Sequence, residues 1–149
     1  MSVPSLSDQL RGAMNEARKQ RDAARTVLLS TILADIKNRE FELQHSPSDD
    51  EVVEVLRRGI KRRHEAAEAY TAAKRPDAAE TELAEAKALE AYLPPAVDPE
   101  EIRKAARGAI ATGAKDLGKV MGLVMPQFKG RADGKIVNQI VREELAAAV

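Results

Sequence analysis

Apolar side chains in this chain return at intervals of three and four residues, and no run alternates with the period of two that a half-buried strand requires. Leu6, Leu10, Ala13, Met14 and Ala17 form the first such stripe, with Ser5 or Ser7 placed to cap it, which predicts a helix from about Ser7 to Gln20. Val27, Leu28, Leu29, Ile32, Leu33 and Ile36 form the second. It lies in a segment from about Asp22 to Leu43 that holds neither Gly nor Pro, roughly 33 Å of helix at ~1.5 Å per residue. Pro47 breaks the pattern, and Ser48, Asp49 or Asp50 can cap a third helix to Ala73 with Val52, Val53, Leu56, Ile60, Ala67 and Tyr70 inward. After the turn Lys74 to Asp77, Pro76 suits the first position of a fourth helix whose apolar face is Leu83, Ala86, Leu89 and Leu93.

Pro94, Pro95 and Pro99 then stop helix and favour an extended connection. Downstream, Asp98-Pro99-Glu100-Glu101 resembles a capping box for a helix with Ile102, Ala106 and Ala109 or Ile110 inward, which Gly113 can end in a left-handed cap. Asp116 can cap a helix bearing Leu117, Val120, Met121, Val124 and Phe128, interrupted late by Pro126. Asp133 can cap a last one bearing Ile136, Val137, Ile140, Val141 and Leu145. The expectation is an all-α chain: a four-helix subdomain over 1–93, a proline-rich linker over 94–98 and a three-helix subdomain over 99–149.

At 149 residues the chain is long enough to bury about 70% of its unfolded surface. Two Phe, two Tyr and no Trp make that core aliphatic. The absence of Cys excludes disulfides, a thiolate zinc site and a cysteine nucleophile. With 24 basic and 24 acidic residues the formal charge is zero, which argues against bulk electrostatic coating of DNA or an anionic membrane. Residues 1–93 carry 15 basic and 17 acidic side chains, whereas 94–149 carry 9 and 7, so local distribution matters more than the total. No stretch approaches the ~18 apolar residues of a membrane span, and Met1 to Asp8 lacks a basic segment followed by an apolar run. The expected address is the cytoplasm, with no membrane partner.

His45 and His64 have no partner at metal-ligand spacing, so no metal site and no cofactor is expected. Carboxylate pairs such as Glu82 with Glu85 read as solvated helix surface. The glycines of the C-terminal part match no nucleotide cradle, and Gly118 and Gly122, one turn apart, read first as positions of tight helix packing. Two basic clusters remain. Arg57, Arg58, Lys61, Arg62 and Arg63 span two helical turns and are expected to reach Glu54, Glu65 or Glu68, leaving a secondary basic patch. Lys115, Lys119, Lys129, Arg131 and Lys135 flank Gly130 and Gly134, whose backbone permits a close anion, and the helix start after Asp133 offers N–H groups. With few aromatics to stack on single strands, the compatible polyanion is a folded RNA read through backbone and shape.

Lys61-Arg-Arg-His-Glu65, Tyr70, Arg75, Asp77, Glu82 with Glu85, Tyr92-Leu-Pro94, Gly118-Lys-Val-Met-Gly-Leu-Val-Met125, Lys129-Gly-Arg-Ala-Asp-Gly134 and Asn138 together resemble the GatB/YqeY domain family over nearly the whole chain. The resemblance implies two helical subdomains and kinship with the tail of the B subunit of the glutamine-dependent aspartyl/glutamyl-tRNA amidotransferase, which helps hold tRNA. It also implies an association with carbon-nitrogen ligase activity using glutamine as amido donor. The catalytic domain of that subunit does not fit in 149 residues, and no Ser-Lys or Cys-based amidase signature is present.

The resulting expectation is a tRNA-associated accessory module without its own catalytic site. Its RNA contacts would be Lys115, Lys119, Lys129, Gly130, Arg131, Gly134 and Lys135, with Arg57, Arg58, Lys61 and Arg62 secondary, and a tRNA-dependent enzyme as a further partner. The alternative is a helper that docks on an enzyme through Met121, Val124, Met125 and Phe128. A stand-alone amidotransferase, the third reading, would hydrolyse glutamine by itself.

Overall fold

A computed structural model describes residues 3–149; Met1 and Ser2, the start of the segment read above for a targeting signal, lie outside the described residues. Among the described residues there are seven α-helices and no strand: α1 (Leu6–Lys19), α2 (Ala23–Leu43), α3 (Asp49–Ala72), α4 (Pro76–Glu90), α5 (Pro99–Ala111), α6 (Leu117–Phe128) and α7 (Gly134–Ala147). The chain is all-α. Local chemistry sets the helix starts. Ser5, Asp22, Ser48, Asp98, Asp116 and Asp133 each accept a backbone N–H of the first turn, while α4 has no side-chain cap and begins on Pro76. Ser48 and Glu51 complete a reciprocal capping box. Asp98 does not: its carboxylate accepts Glu100 N–H, at 3.0 Å, and the Glu101 carboxylate that would reach back accepts from Arg131 instead. Gly113, at φ +107°, and Gln44, at φ +60°, take the left-handed conformation just after α5 and α2.

The chain divides into two compact units, Met1–Leu93 and Pro94–Val149. In the first, α1, α2 and α4 gather on α3 around Leu10, Leu29, Ile32, Val52, Leu56 and Leu89, all essentially without exposed surface. Asp49, one of the possible caps of α3, instead accepts the Leu6 N–H at 2.9 Å and ties the start of α1 to that of α3. Gly59 has its use here: a Cβ would sit 3.0 Å from Ile32 Cδ1 and 3.7 Å from Leu89 Cδ1, so it leaves room for side chains from two neighbouring helices.

In the second unit, α5, α6 and α7 pack on one another around Ile102, Val120, Val124, Phe128, Val137 and Val141. Three residues expected to point inward do not: Val27 is 65% exposed, Leu83 47% and Ile136 50%. Consecutive helical residues stand about 100° apart, so Val27 cannot share one face with Leu28 and Leu29, nor Ile136 with Val137. Leu83 is turned aside because α4 packs through Ala79, Ala86 and Leu89.

Candidate nucleic-acid interface

Five of the nine cations of the second unit form two groups. Lys115 and Lys119 stand at the start of α6, and Lys129, Arg131 and Lys135 at the short loop between α6 and α7. Ten residues separate Lys119 from Lys129, about 15 Å along the helix axis. The loop that carries the second group is tight: Phe128 O accepts both Arg131 N–H, at 2.8 Å, and Ala132 N–H, at 2.9 Å, and Gly130 adopts φ +76° and is itself buried, not open to an anion. That turn keeps Lys129, Arg131 and Lys135 within one short stretch.

The members differ in their availability. Arg131 donates from Nη2 to Glu101 Oε1 at 3.1 Å and from Nη1 to Gln127 O at 3.2 Å, with its guanidinium 5.6 Å from the centre of the Phe128 ring. Lys119 Nζ lies 3.8 Å from Asp116 Oδ2 one turn back, an exposed pair worth less than about 1 kcal/mol. Lys115, Lys129 and Lys135 are exposed and have no carboxylate within salt-bridge distance among the described residues. The backbone donors expected at the start of α7 are mostly taken. Asp133 Oδ1 accepts Lys135 N–H at 2.9 Å and Asp133 O accepts Ile136 N–H at 3.0 Å, because a capping carboxylate fills the place an external anion would take.

Gly118 and Gly122 are not packing glycines. Both lie on the exposed face of α6 with Lys119 and Leu123, and a Cβ at Gly122 would meet nothing within 4 Å. Tight packing is met instead by the opposite face, where Val120, Val124 and Phe128 are buried and Met121 and Met125 half-buried. The stripe considered for protein docking is therefore core, and what α6 presents outward is a backbone left bare at Gly118 and Gly122, with cations at each end of the helix.

The basic run of α3 also departs from expectation. Arg62 Nη2 reaches Asp35 on α2 at 2.9 Å rather than Glu65 one turn on, and Arg63 Nε reaches Glu85 on α4 at 3.2 Å. Arg57 is half-buried, and its Nε has no hydrogen-bond partner. Arg58, Lys61 and Arg62 line a recess of about 470 Å³ with Arg39, opposite Asp35, Glu42 and Glu65. Four cations against three carboxylates leave little field there for a polyanion. The histidines stand near single carboxylates, His45 Nε2 at 4.0 Å from Glu51 and His64 Nε2 at 3.7 Å from Glu90.

One charged cluster escaped sequence reasoning. Glu144 occupies the buried face of α7 one turn after Ile140 and is only 9% exposed. Arg107 of α5 grips it with Nε at 3.0 Å and Nη2 at 3.3 Å, while Arg103 bridges Glu144, at 3.4 Å, and Glu143, at 2.9 Å. The Arg107 hydrogen bonds, aided by Arg103 and opposed by desolvation, hold the Glu144 carboxyl below its usual range. The signal was present in the sequence: Glu144 lies seven residues after Val137, and Arg103 and Arg107 lie one turn apart on the partner helix. This arrangement clamps α5 to α7.

The family profile described as Yqey-like protein matches residues 7–145. The chain belongs to the YqeY family. It is also similar to a protein of Pyrenophora tritici-repentis (strain Pt-1C-BFP) named altered inheritance of mitochondria protein 41, mitochondrial. The two are 30% identical over 151 residues, covering 97% of this chain and 81% of that protein. In this YqeY chain Tyr92 and Leu93 close the first unit, with Tyr92 Oη accepting from Arg25 Nη2 at 2.9 Å, and Asn138 Oδ1 accepts from Arg142 Nε at 2.7 Å. Among the described residues no helix is long and apolar enough to cross a membrane.

Proposed function

We propose that this YqeY protein is a tRNA-associated accessory module in which the second unit holds the phosphate backbone of a folded RNA and supplies no catalytic group of its own. The observation that carries this reading is the outward face of α6. Gly118, within the Lys115 and Lys119 group, and Gly122, between that group and Lys129, Arg131 and Lys135, leave its backbone bare. An exposed glycine inside a helix costs about 1 kcal/mol relative to alanine, and here no neighbouring side chain requires it. Close approach by an external backbone would use the space. Two cationic groups about 15 Å apart suit an extended polyanion better than a single phosphate.

Direct phosphate contact is assigned to Lys119, Lys129, Arg131 and Lys135, with Lys115 flanking. Arg131 joins by exchanging Glu101 for a phosphate oxygen, a trade between two charge-assisted pairs. With Phe128 in the core there is no stacking platform on this face, so recognition runs through backbone and shape. A cytoplasmic address and a tRNA-dependent enzyme as a further partner belong to the same proposal. A gel shift of the purified chain with bulk tRNA and with a random single strand of equal length tests it. The expected result is tighter binding of tRNA, weakened by Lys129→Ala plus Arg131→Ala; equal affinity for both nucleic acids, or no effect of the double substitution, would overturn it.

A further inference from the structure

The first unit carries a surface of the opposite character. Helix α4 packs on α3 through Ala79, Ala86 and Leu89, which leaves its other side open from Asp77 to Glu90, about 20 Å at 1.5 Å per residue. Along that side Ala84 and Ala88, both exposed, line a trough of about 720 Å³ with Leu28 and Leu29 of α2. Leu28 and Leu29 are buried beneath it, so the accessible apolar floor is made by Ala24, Ala84, Ala88 and Ala91, whose small side chains let a backbone come close. The rim holds four carboxylates, Asp22, Asp77, Glu80 and Glu85, against one cation among the lining residues, Arg25. Glu85 is engaged by Arg63, and Asp22 caps α2. Asp77 and Glu80 have no cation within salt-bridge distance among the described residues.

We propose that this trough docks a basic amphipathic helix of a protein partner, about four turns long, with aliphatic side chains on Ala24, Ala84, Ala88 and Ala91 and Lys or Arg side chains on Asp77 and Glu80. The length, the apolar floor and the acidic rim each match one property of such a helix, whose anchors recur at three- and four-residue spacing. The same rim repels nucleic acid, so this surface is separate from the RNA face and does not rest on it. Opposed charge across the rim sets the orientation and speeds encounter.

Selection of a displayed library of helical peptides against the full chain tests this. Enriched sequences are expected to place Lys or Arg beside aliphatic residues at helical spacing. The best of them, measured by fluorescence anisotropy, should weaken at least tenfold with Ala88→Arg and with Glu80→Lys, each at an exposed position. Exchanging a peptide lysine for glutamate should restore binding to the Glu80→Lys chain, while tRNA affinity stays the same in both variants. Enrichment of neutral or acidic peptides, or binding indifferent to both substitutions, would overturn the proposal. So would a dimer of the chain that Ala88→Arg dissolves, which assigns the trough to a second copy, or tRNA binding lost in both variants.

Discussion

Gly59 and Gly122 both stand inside helices, and replacing either by alanine removes the same backbone penalty, about 0.8–1.0 kcal/mol in favour of the helix. The surroundings decide whether that gain survives. At Gly122 the new Cβ meets nothing within 4 Å, so Gly122→Ala should stabilise the second unit by about 1 kcal/mol. At Gly59 the new Cβ stands 3.0 Å from Ile32 Cδ1 and 3.3 Å from Arg63 Nη1. Ile32 is fully buried, and Arg63 Nη1 is held by Gly59 O at 2.9 Å while its Nε reaches Glu85, so neither neighbour retreats freely. Overpacking of this kind costs about 1–3 kcal/mol, which places Gly59→Ala between neutral and about 2 kcal/mol less stable than the parent. Urea unfolding followed by far-ultraviolet circular dichroism reads both, each from the transition of the unit that carries it. A Gly59→Ala chain stabilised as much as the Gly122→Ala chain would refute the crowding argument.

Phe128→Ala, in the core of the second unit, should cost about 3–5 kcal/mol in the same urea assay. The lowered carboxyl of Glu144 has an ordinary value of 4.5, so its pairing with Arg107 and Arg103 stabilises the fold above that pH and is lost as pH falls through the lowered folded value. Urea midpoints from pH 7 to pH 3 should therefore show Glu144→Gln well below the parent at neutral pH, with the gap closing in acid. Glu101→Gln releases Arg131 and should tighten tRNA binding severalfold at low salt in a filter-binding titration. Weaker binding would place Glu101 in a supporting role.

The helices and their caps were legible because both are local. Three-and-four spacing and a Ser or Asp ahead of the first turn act over one or two turns, and the caps at Ser5, Ser48, Asp116 and Asp133 are among the residues expected. Illegible were the choices made between distant segments. Whether Val27 or Leu28 enters the core depends on where α1 and α3 lie, and Leu83 yields to alanines because α4 is drawn close to α3. Arg62 chooses Asp35, 27 residues away, over Glu65 one turn on, and Arg131 reaches Glu101, 30 residues away. For the candidate interface, the sequence identified the cations and the glycine turn. It could not tell that α6 spaces those cations into two groups or that Gly118 and Gly122 face outward. Each of these follows from which side of α6 meets α5 and α7.

The claim at the centre is that lysines and one arginine of the second unit neutralise phosphates, and counterion release measures that directly. Titrating tRNA with the parent chain across a salt series should give log K falling against log salt with a slope on the order of −3, four contacts at about −0.7 to −0.9 each. Lys119→Ala, Lys129→Ala, Arg131→Ala and Lys135→Ala should each flatten that slope by a little under one. A slope near zero, or one that none of the four substitutions changes, would contradict the account.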